Sequence, residues 1–415
     1  MQALSAFQKG ENMSTMTPAA STGYRVPLIA TAAIVLGALL IGVVFGSNIG
    51  LLMIVGGLLG MVLYHAAFGF TAAWRVFITE RRGRGLRAQM VMLTIAVVLF
   101  FPALGAGTLF GNEVRGFVSP IGISVLFGAF LFGIGMQLGG GCASGTLFTA
   151  GGGNARMLIT LVFFIVGSVI GTAHFAWWQS LPAFQPVSLI DIAGTGGGMA
   201  ISLVLFAAIA AFTLVMEKRR HGQLEKAPLV EKHGAARWLT GPWPLLAGAV
   251  ALALLNFATL ALAGRPWGIT SAFALWGAKG FELVGGDVSQ WGYWQAPGNA
   301  AALEASVWSD ITTVMNVGIM LGALAAAHLA GRFAPNFRIP LRSVLAAVLG
   351  GLMLGYGARL AFGCNIGAYF SGIASGSLHG WVWLVAAFAG NMLGVRIRPF
   401  FFDGVEGRKP VAKTS

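Results

Sequence analysis

The chain has 415 residues, of which 57% are hydrophobic and only 9% charged, and its 26 Lys and Arg against 13 Asp and Glu leave a formal charge of +13. Soluble domains carry about a quarter charged residues, so this composition, with a mean hydropathy of +0.80, excludes a soluble enzyme and implies a polytopic membrane protein. The basic excess sits in short segments between apolar runs, such as Arg81, Arg82, Arg84 and Arg87, the pattern of cytoplasmic loops rather than of a nucleic-acid-binding face.

Residues 1–25 are polar, lack a signal-peptide layout and read as a cytoplasmic tail. Apolar segments of the length that crosses about 30 Å of hydrocarbon follow, near 26–46, 49–66, 90–110, 117–138 and 156–177. Five more lie near 196–216, 244–263, 311–330, 343–361 and 378–395. An N-terminus inside the cell puts 75–88 and the run 217–237 on the cytoplasmic side, the latter with Lys218, Arg219, Arg220, Lys226, Lys232 and Arg237. It places Arg332, Arg338, Arg396, Arg398, Arg408 and Lys409 there too. The opposite loops 178–195 and 285–309 contain no Lys or Arg but hold Trp178, Trp291, Tyr293, Trp294 and Trp308, as an outer aromatic belt would.

The chain resembles itself. Phe68-Gly69-Phe70-Thr71-Ala72-Ala73-Trp74 is answered by Trp267-Gly268-Ile269-Thr270-Ser271-Ala272-Phe273. Gly133, Gly135, Leu138, Gly141, Cys142 and Gly145 return at one constant offset as Gly355, Gly357, Leu360, Gly363, Cys364 and Gly367. An odd number of spans, five, separates equivalent points, so the second copy enters from the opposite side, the inverted-repeat logic of secondary transporters. The expected fold class is an all-α polytopic membrane protein of two inverted repeats of about five spans, with broken or re-entrant half-helices at the four motifs. Its parts are a tail at 1–25, repeat 1 at 26–216, a basic linker at 217–243, repeat 2 at 244–396 (which takes 196–216 as its first span) and a tail at 397–415. Breaks at Gly139-Gly140-Gly141 and Gly151-Gly152-Gly153 are tolerated at membrane depth only beside protein or a polar cavity, and half-helices starting there aim positive dipole ends at an anion.

The chain's two cysteines, Cys142 and Cys364, share the G-C-x-x-G frame. A thiol beside a helix N-terminus donates a hydrogen bond to, or exchanges with, a sulfur-bearing ligand; the alternative is close packing of a small residue between glycines. Ser144, Thr146, Thr149, Asn154, Asn365, Ser371 and Ser375, with Thr71, Thr270 and Ser271, are candidates for holding oxyanion oxygens, or for capping the broken helices. Gly141 and Gly363, beside the thiols, are candidate substrate-binding positions. Arg359 is a counter-ion for an anion or a snorkelling cation, and Lys279 and Glu282 are spaced to pair. His65, His174, His328 and His379 are scattered, so neither a metal site nor a cofactor is expected. The chain lacks G-x-x-x-x-G-K-[ST], so no ATP hydrolysis is expected.

Gly141-Cys142-Ala143-Ser144-Gly145, Arg265-Pro266-Trp267-Gly268-Ile269-Thr270-Ser271 and Gly363-Cys364-Asn365-Ile366-Gly367 resemble the motifs of the YeeE/YedE family of sulfur transporters. The resemblance runs through roughly residues 30–396. It implies uptake of thiosulfate or a related small sulfur-containing anion across the bacterial inner membrane, with transient cysteine contacts and a cytoplasmic sulfur-carrier partner of the TusA type. Some members carry a further cysteine in the first aromatic-glycine motif, where this chain has Phe68-Gly69-Phe70. Rival readings are a selenium transporter, a membrane-bound sulfurtransferase working through a cysteine persulfide, and a membrane scaffold without chemistry of its own.

Overall fold

The computed structural model describes residues 24–226, 234 and 236–402; most of the predicted N-terminal tail, together with Lys232, Arg408 and Lys409, lies outside them. Among the described residues, ten helical spans are long and apolar enough to cross a membrane. We number α1 Arg25–Phe45, α2 Ser47–His65, α3 Phe70–Glu80, α4 Arg84–Ala106, α5 Ile123–Gly139, α6 Ala143–Gly151, α7 Ala155–Ala173, α8 Leu189–His221, α9 Leu245–Ala263, α10 Thr270–Leu283, α11 Ile311–Leu329, α12 Leu341–Leu360 and α13 Leu378–Ile397. A π-helical segment, Asn365–Ser371, lies between α12 and α13. The protein is an all-α polytopic membrane protein.

Where observed spans depart from the sequence expectation, local chemistry explains it. The expected span at 117–138 starts only at Ile123, because 118–120 is irregular and Ile121–Gly122 pairs in a short strand with Ala183–Phe184. The expected 196–216 span is part of a longer helix, α8, which has a break at Gly194 (φ 68°) and runs to His221, five residues into the predicted linker. Its basic last turn, Lys218 to His221, complements the negative end of the helix dipole.

Glycine sets how closely the spans pack. A Cβ on Gly60 of α2 would stand 2.1 Å from the Ile319 carbonyl oxygen of α11, and one on Gly133 of α5 would stand 2.1 Å from that of Ala387 of α13. Backbones thus touch directly, the small-residue mode of helix association in lipid. The pairings come in matching sets: α2 packs on α11 and α4 on α9, while α7 packs on α12 and α5 on α13. Likewise α11 packs on α1 and α4 on α8, and α10 packs on α7 and α3 on α13.

Contacts between span ends sort them onto two faces. On one, Arg87 bridges to Glu217 at 2.7 Å, His221 Nε2 meets the Glu80 carbonyl, Trp243 N donates to His65 O, and Arg156 reaches Ser343 O. This face carries the basic segments 75–87, 218–226 and 332–342. On the other, Arg115 N donates to Gly264 O, Phe117 N to Ser375 Oγ, Leu189 N to Gly376 O and Leu378 N to Val187 O.

Candidate functional site

Four short helices begin at the four motifs: α3, α6, α10 and the segment that opens at Asn365. Each follows a chain break at depth. Ala67 (φ 45°) and Phe362 (φ 54°) occupy the left-handed region just before two of those breaks, a conformation unusual for non-glycine residues and frequent at functional sites. Gly363 (φ 148°) turns the chain so tightly that a Cβ there would lie 2.8 Å from the Ala368 amide nitrogen.

Cys142 is the N-cap of α6 and Cys364 the N-cap of the π-helical segment. The two helices run from these caps to opposite faces. Gly152, after α6, packs on Tyr64 at the basic face, whereas Ser375, beyond the π segment, accepts from Phe117 N on the other. Both thiols are buried, 1% and 0% exposed. The half-helices also touch one another. Two sets of free N–H groups therefore point toward a common layer. The π-helical geometry of the second is rare and concentrates at functional positions.

Around the thiols the polar groups differ in how well they are satisfied. Ser144 Oγ lies 3.3 Å from Cys142 Sγ, and Ile366 N donates to Cys364 Sγ at 3.4 Å. Asn365 is fully buried, and neither its amide nitrogen nor its oxygen has a partner in the structure; Thr71 Oγ1 is in the same position. Buried polar atoms are almost always hydrogen-bonded, so these mark a place where a ligand or water belongs. Other candidates are structural: Asn154 caps α7 through Met157 N, Thr146 Oγ1 donates to Cys142 O, Ser371 Oγ donates to Trp267 O, Ser375 Oγ donates to Ser371 O, and Ser271 Oγ donates to Thr312 Oγ1.

Arg359 does not snorkel. It is 9% exposed, donates to the Thr270 carbonyl at 3.0 Å and to the Tyr293 hydroxyl, and carries an unpartnered Nε. Lys279 does not pair with Glu282; it donates instead to the Leu303 carbonyl at 2.5 Å. Among the described residues, the ion pairs are Arg87–Glu217 and the exposed Arg115–Glu113.

Two cavities approach the thiol layer. The one at the basic face, about 850 Å³, reaches Gly69 and Gln89 and is bordered by Arg75, Arg82, Arg84 and Lys226. The opposite one, about 330 Å³, reaches Gly268, Thr270, Gly363 and Gly367 and contains Arg265 and Arg359. Neither wall includes a thiol. Trp74 donates to Gln89 Oε1 at 3.0 Å, and Tyr369 stacks on Trp383, whose Nε1 donates to Gly363 O. Phe70, Trp74, Tyr369 and Trp383 are fully buried, an aromatic layer beside the motif turns.

Sequence reasoning missed Gln137, although the repeat offset would have found it, because it precedes Cys142 by five residues as Arg359 precedes Cys364. Gln137 Nε2 lies 3.3 Å from the Thr71 carbonyl, as Arg359 binds that of Thr270. The same scaffold bond is made by a neutral amide in one half and a cation in the other. Gln89, Tyr293 and Tyr369 left no comparable signal, because their partners are far away in the chain.

A family model described as sulphur transport matches residues 65–393, and the chain belongs to that family. It is 33% identical over 176 residues to the probable transporter YedE of Escherichia coli, covering 41% of this chain and 42% of that protein, so it spans less than half of that relative's length. It is 28% identical over 357 residues to the thiosulfate transporter TsuA of Spirochaeta thermophila, covering 82% of this chain and 96% of the relative. With TsuA of Escherichia coli the identity is 25% over 346 residues, 80% and 90% of the two chains.

Proposed function

We propose that this member of the sulphur-transport family carries thiosulfate, or a related small sulfur-containing anion, across the bacterial inner membrane without an enzymatic step. The observation that carries the reading is the pair of cysteine-capped half-helices that approach one buried layer from opposite faces, the second with Gly363 and Gly367 in a cavity wall. The TsuA relatives are named for thiosulfate, and their match extends over most of this chain.

The chemistry follows from the ligand. A thiosulfate dianion has a sulfonate end that seeks hydrogen-bond donors and a soft sulfur end that is poorly hydrated. Backbone N–H groups at the starts of α6 and the π segment, the Asn365 amide and the hydroxyls of Ser144, Thr71 and Thr270 would hold the oxygens. Cys142 and Cys364 would each donate S–H to the sulfur end and line the constriction. Gly141 and Gly363 keep the capping turns free of Cβ atoms, and Arg359 would receive the anion first. No covalent intermediate is needed, since hydrogen bonds that form and break in sequence suffice for passage.

The matched helix pairings support two inverted repeats: exchanging α2 with α9, α4 with α11, α5 with α12 and α7 with α13 turns α2–α11 into α4–α9 and α7–α12 into α5–α13, all of which are present. The positive-inside rule puts the basic face and both termini in the cytoplasm. A carrier protein of the TusA type would then dock at the basic face, near Arg82 and Arg84. The test is uptake of sulfur-labelled thiosulfate by sealed proteoliposomes holding the purified protein, against empty liposomes and with sulfate as competitor. Uptake that excess sulfate leaves largely intact supports the reading; no uptake in correctly oriented vesicles overturns it.

A further inference from the structure

A buried guanidinium needs a counter-charge, because removing an ion from water is costly unless an opposite charge replaces its solvent. Arg359 has none. Among the described residues no carboxylate lies within ion-pair distance of it, and the cavity it faces is bordered by a second cation, Arg265, with no acidic side chain in its wall. Arg265 is tied to Thr312 Oγ1 at 3.1 Å, whereas Arg359 keeps an unpartnered Nε.

What touches Arg359 from outside is Tyr293. Its hydroxyl accepts from Arg359, and the guanidinium carbon lies 4.9 Å from its ring centroid. Tyr293 belongs to the loop 285–309, in a short helix Gly292–Gln295 anchored beside it: Trp294 Nε1 donates to Thr172 Oγ1 at 3.2 Å, and Asn299 donates to the Tyr293 carbonyl at 2.8 Å. Trp294 is 3% exposed, whereas Tyr293 is half-buried. The backbone is therefore held, while the phenol keeps one partly exposed side and its ring stands edge-on to Phe175 at 5.2 Å and Trp294 at 4.9 Å.

A phenol oxygen satisfies the hydrogen bond of a guanidinium and leaves its charge unanswered; a dianion answers both, with charge-assisted and bidentate bonds. We propose that Tyr293 is an outer gate residue that stands in the anion's place on Arg359, and that a divalent sulfur anion opens the cavity by displacing the Tyr293 hydroxyl. The gate rests on the transport reading given above for its ligand, but not for its geometry. It makes charge the condition of admission: a neutral sulfur compound or a monoanion of the same size leaves Tyr293 seated.

Two measurements decide it. Titration of purified protein with thiosulfate compares wild type with Tyr293→Phe, which keeps the ring over Arg359 and removes the competing oxygen; the Kd falls by about tenfold or more, the worth of one hydrogen bond to a charged group. Unchanged or weaker binding overturns the proposal, since the hydroxyl would then be idle or itself a substrate ligand. In sealed right-side-out vesicles without anion, a membrane-impermeant maleimide then reports access to Cys364 in a Cys142→Ala background. Adding Tyr293→Ala speeds that labelling, and an unchanged rate overturns the gate. If no variant binds thiosulfate, the transport reading fails and the labelling result alone decides the gate.

Discussion

The two motif halves share a backbone plan and differ in chemistry. In each, a glycine-rich turn delivers a cysteine to the N-terminus of a half-helix, and a side chain five residues earlier fastens the carbonyl of a Thr in the first turn of the other half-helix of its repeat. In the first half that side chain is Gln137, and its amide lies between Thr71 O and Asn391 Oδ1. In the second it is Arg359, which has charge to spare for a ligand. Similarly Ala143 follows Cys142 where the unpartnered Asn365 follows Cys364. The scaffold is thus duplicated, while the buried cation and the unpartnered buried amide lie in the second half.

The sharpest way to break this asymmetry is Arg359→Gln, which gives both halves the same anchoring amide. The Thr270 carbonyl keeps a donor, so folding is preserved, while KM for thiosulfate rises by tenfold or more, the loss of about 1.5–3 kcal/mol from a charged hydrogen bond; an unchanged KM would mean that the cation is structural. Next comes Asn365→Ala, which copies Ala143. Removing an amide with no protein partner leaves Tm unchanged or higher, yet weakens uptake by several-fold. A fall in Tm with no change in KM would make Asn365 a packing residue. The smallest effect is expected at Gly69→Ala, where φ is −117° and a Cβ finds its nearest neighbours only at 4.0 Å, so expression and uptake stay near wild type. Its contrast is Gly133→Ala, which drives a methyl into the Ala387 carbonyl and lowers the yield of folded protein.

Much of the fold is legible from the chain because lipid imposes length. Ten apolar runs correspond to the ten spans, and the four breaks lie where the glycine motifs fall. The thiol positions are legible for a related reason, since a constant offset between two G-C-x-x-G frames survives without knowledge of the fold. What stays hidden depends on contacts across the membrane layer. Nothing near Tyr293 in sequence announces Arg359, and the hydroxyl of Tyr369 reaches Gln89 across 280 positions. Lys279 and Glu282 show the opposite error: helical spacing suggests a pair, but the loop 285–309 brings the Leu303 carbonyl closer to the ammonium group. Hydroxyl and amide candidates likewise divide only once their partners are seen, with Asn154 and Ser371 spent on backbone groups and Asn365 left open.

The most direct measurement is labelled-thiosulfate uptake by sealed proteoliposomes carrying equal amounts of wild type or the Cys142→Ala, Cys364→Ala double variant. The account predicts that the wild type accumulates label and that the double variant, folded and reconstituted to the same level, falls to the background of empty liposomes. Equal accumulation by both proteins would contradict it and remove the thiols from the path.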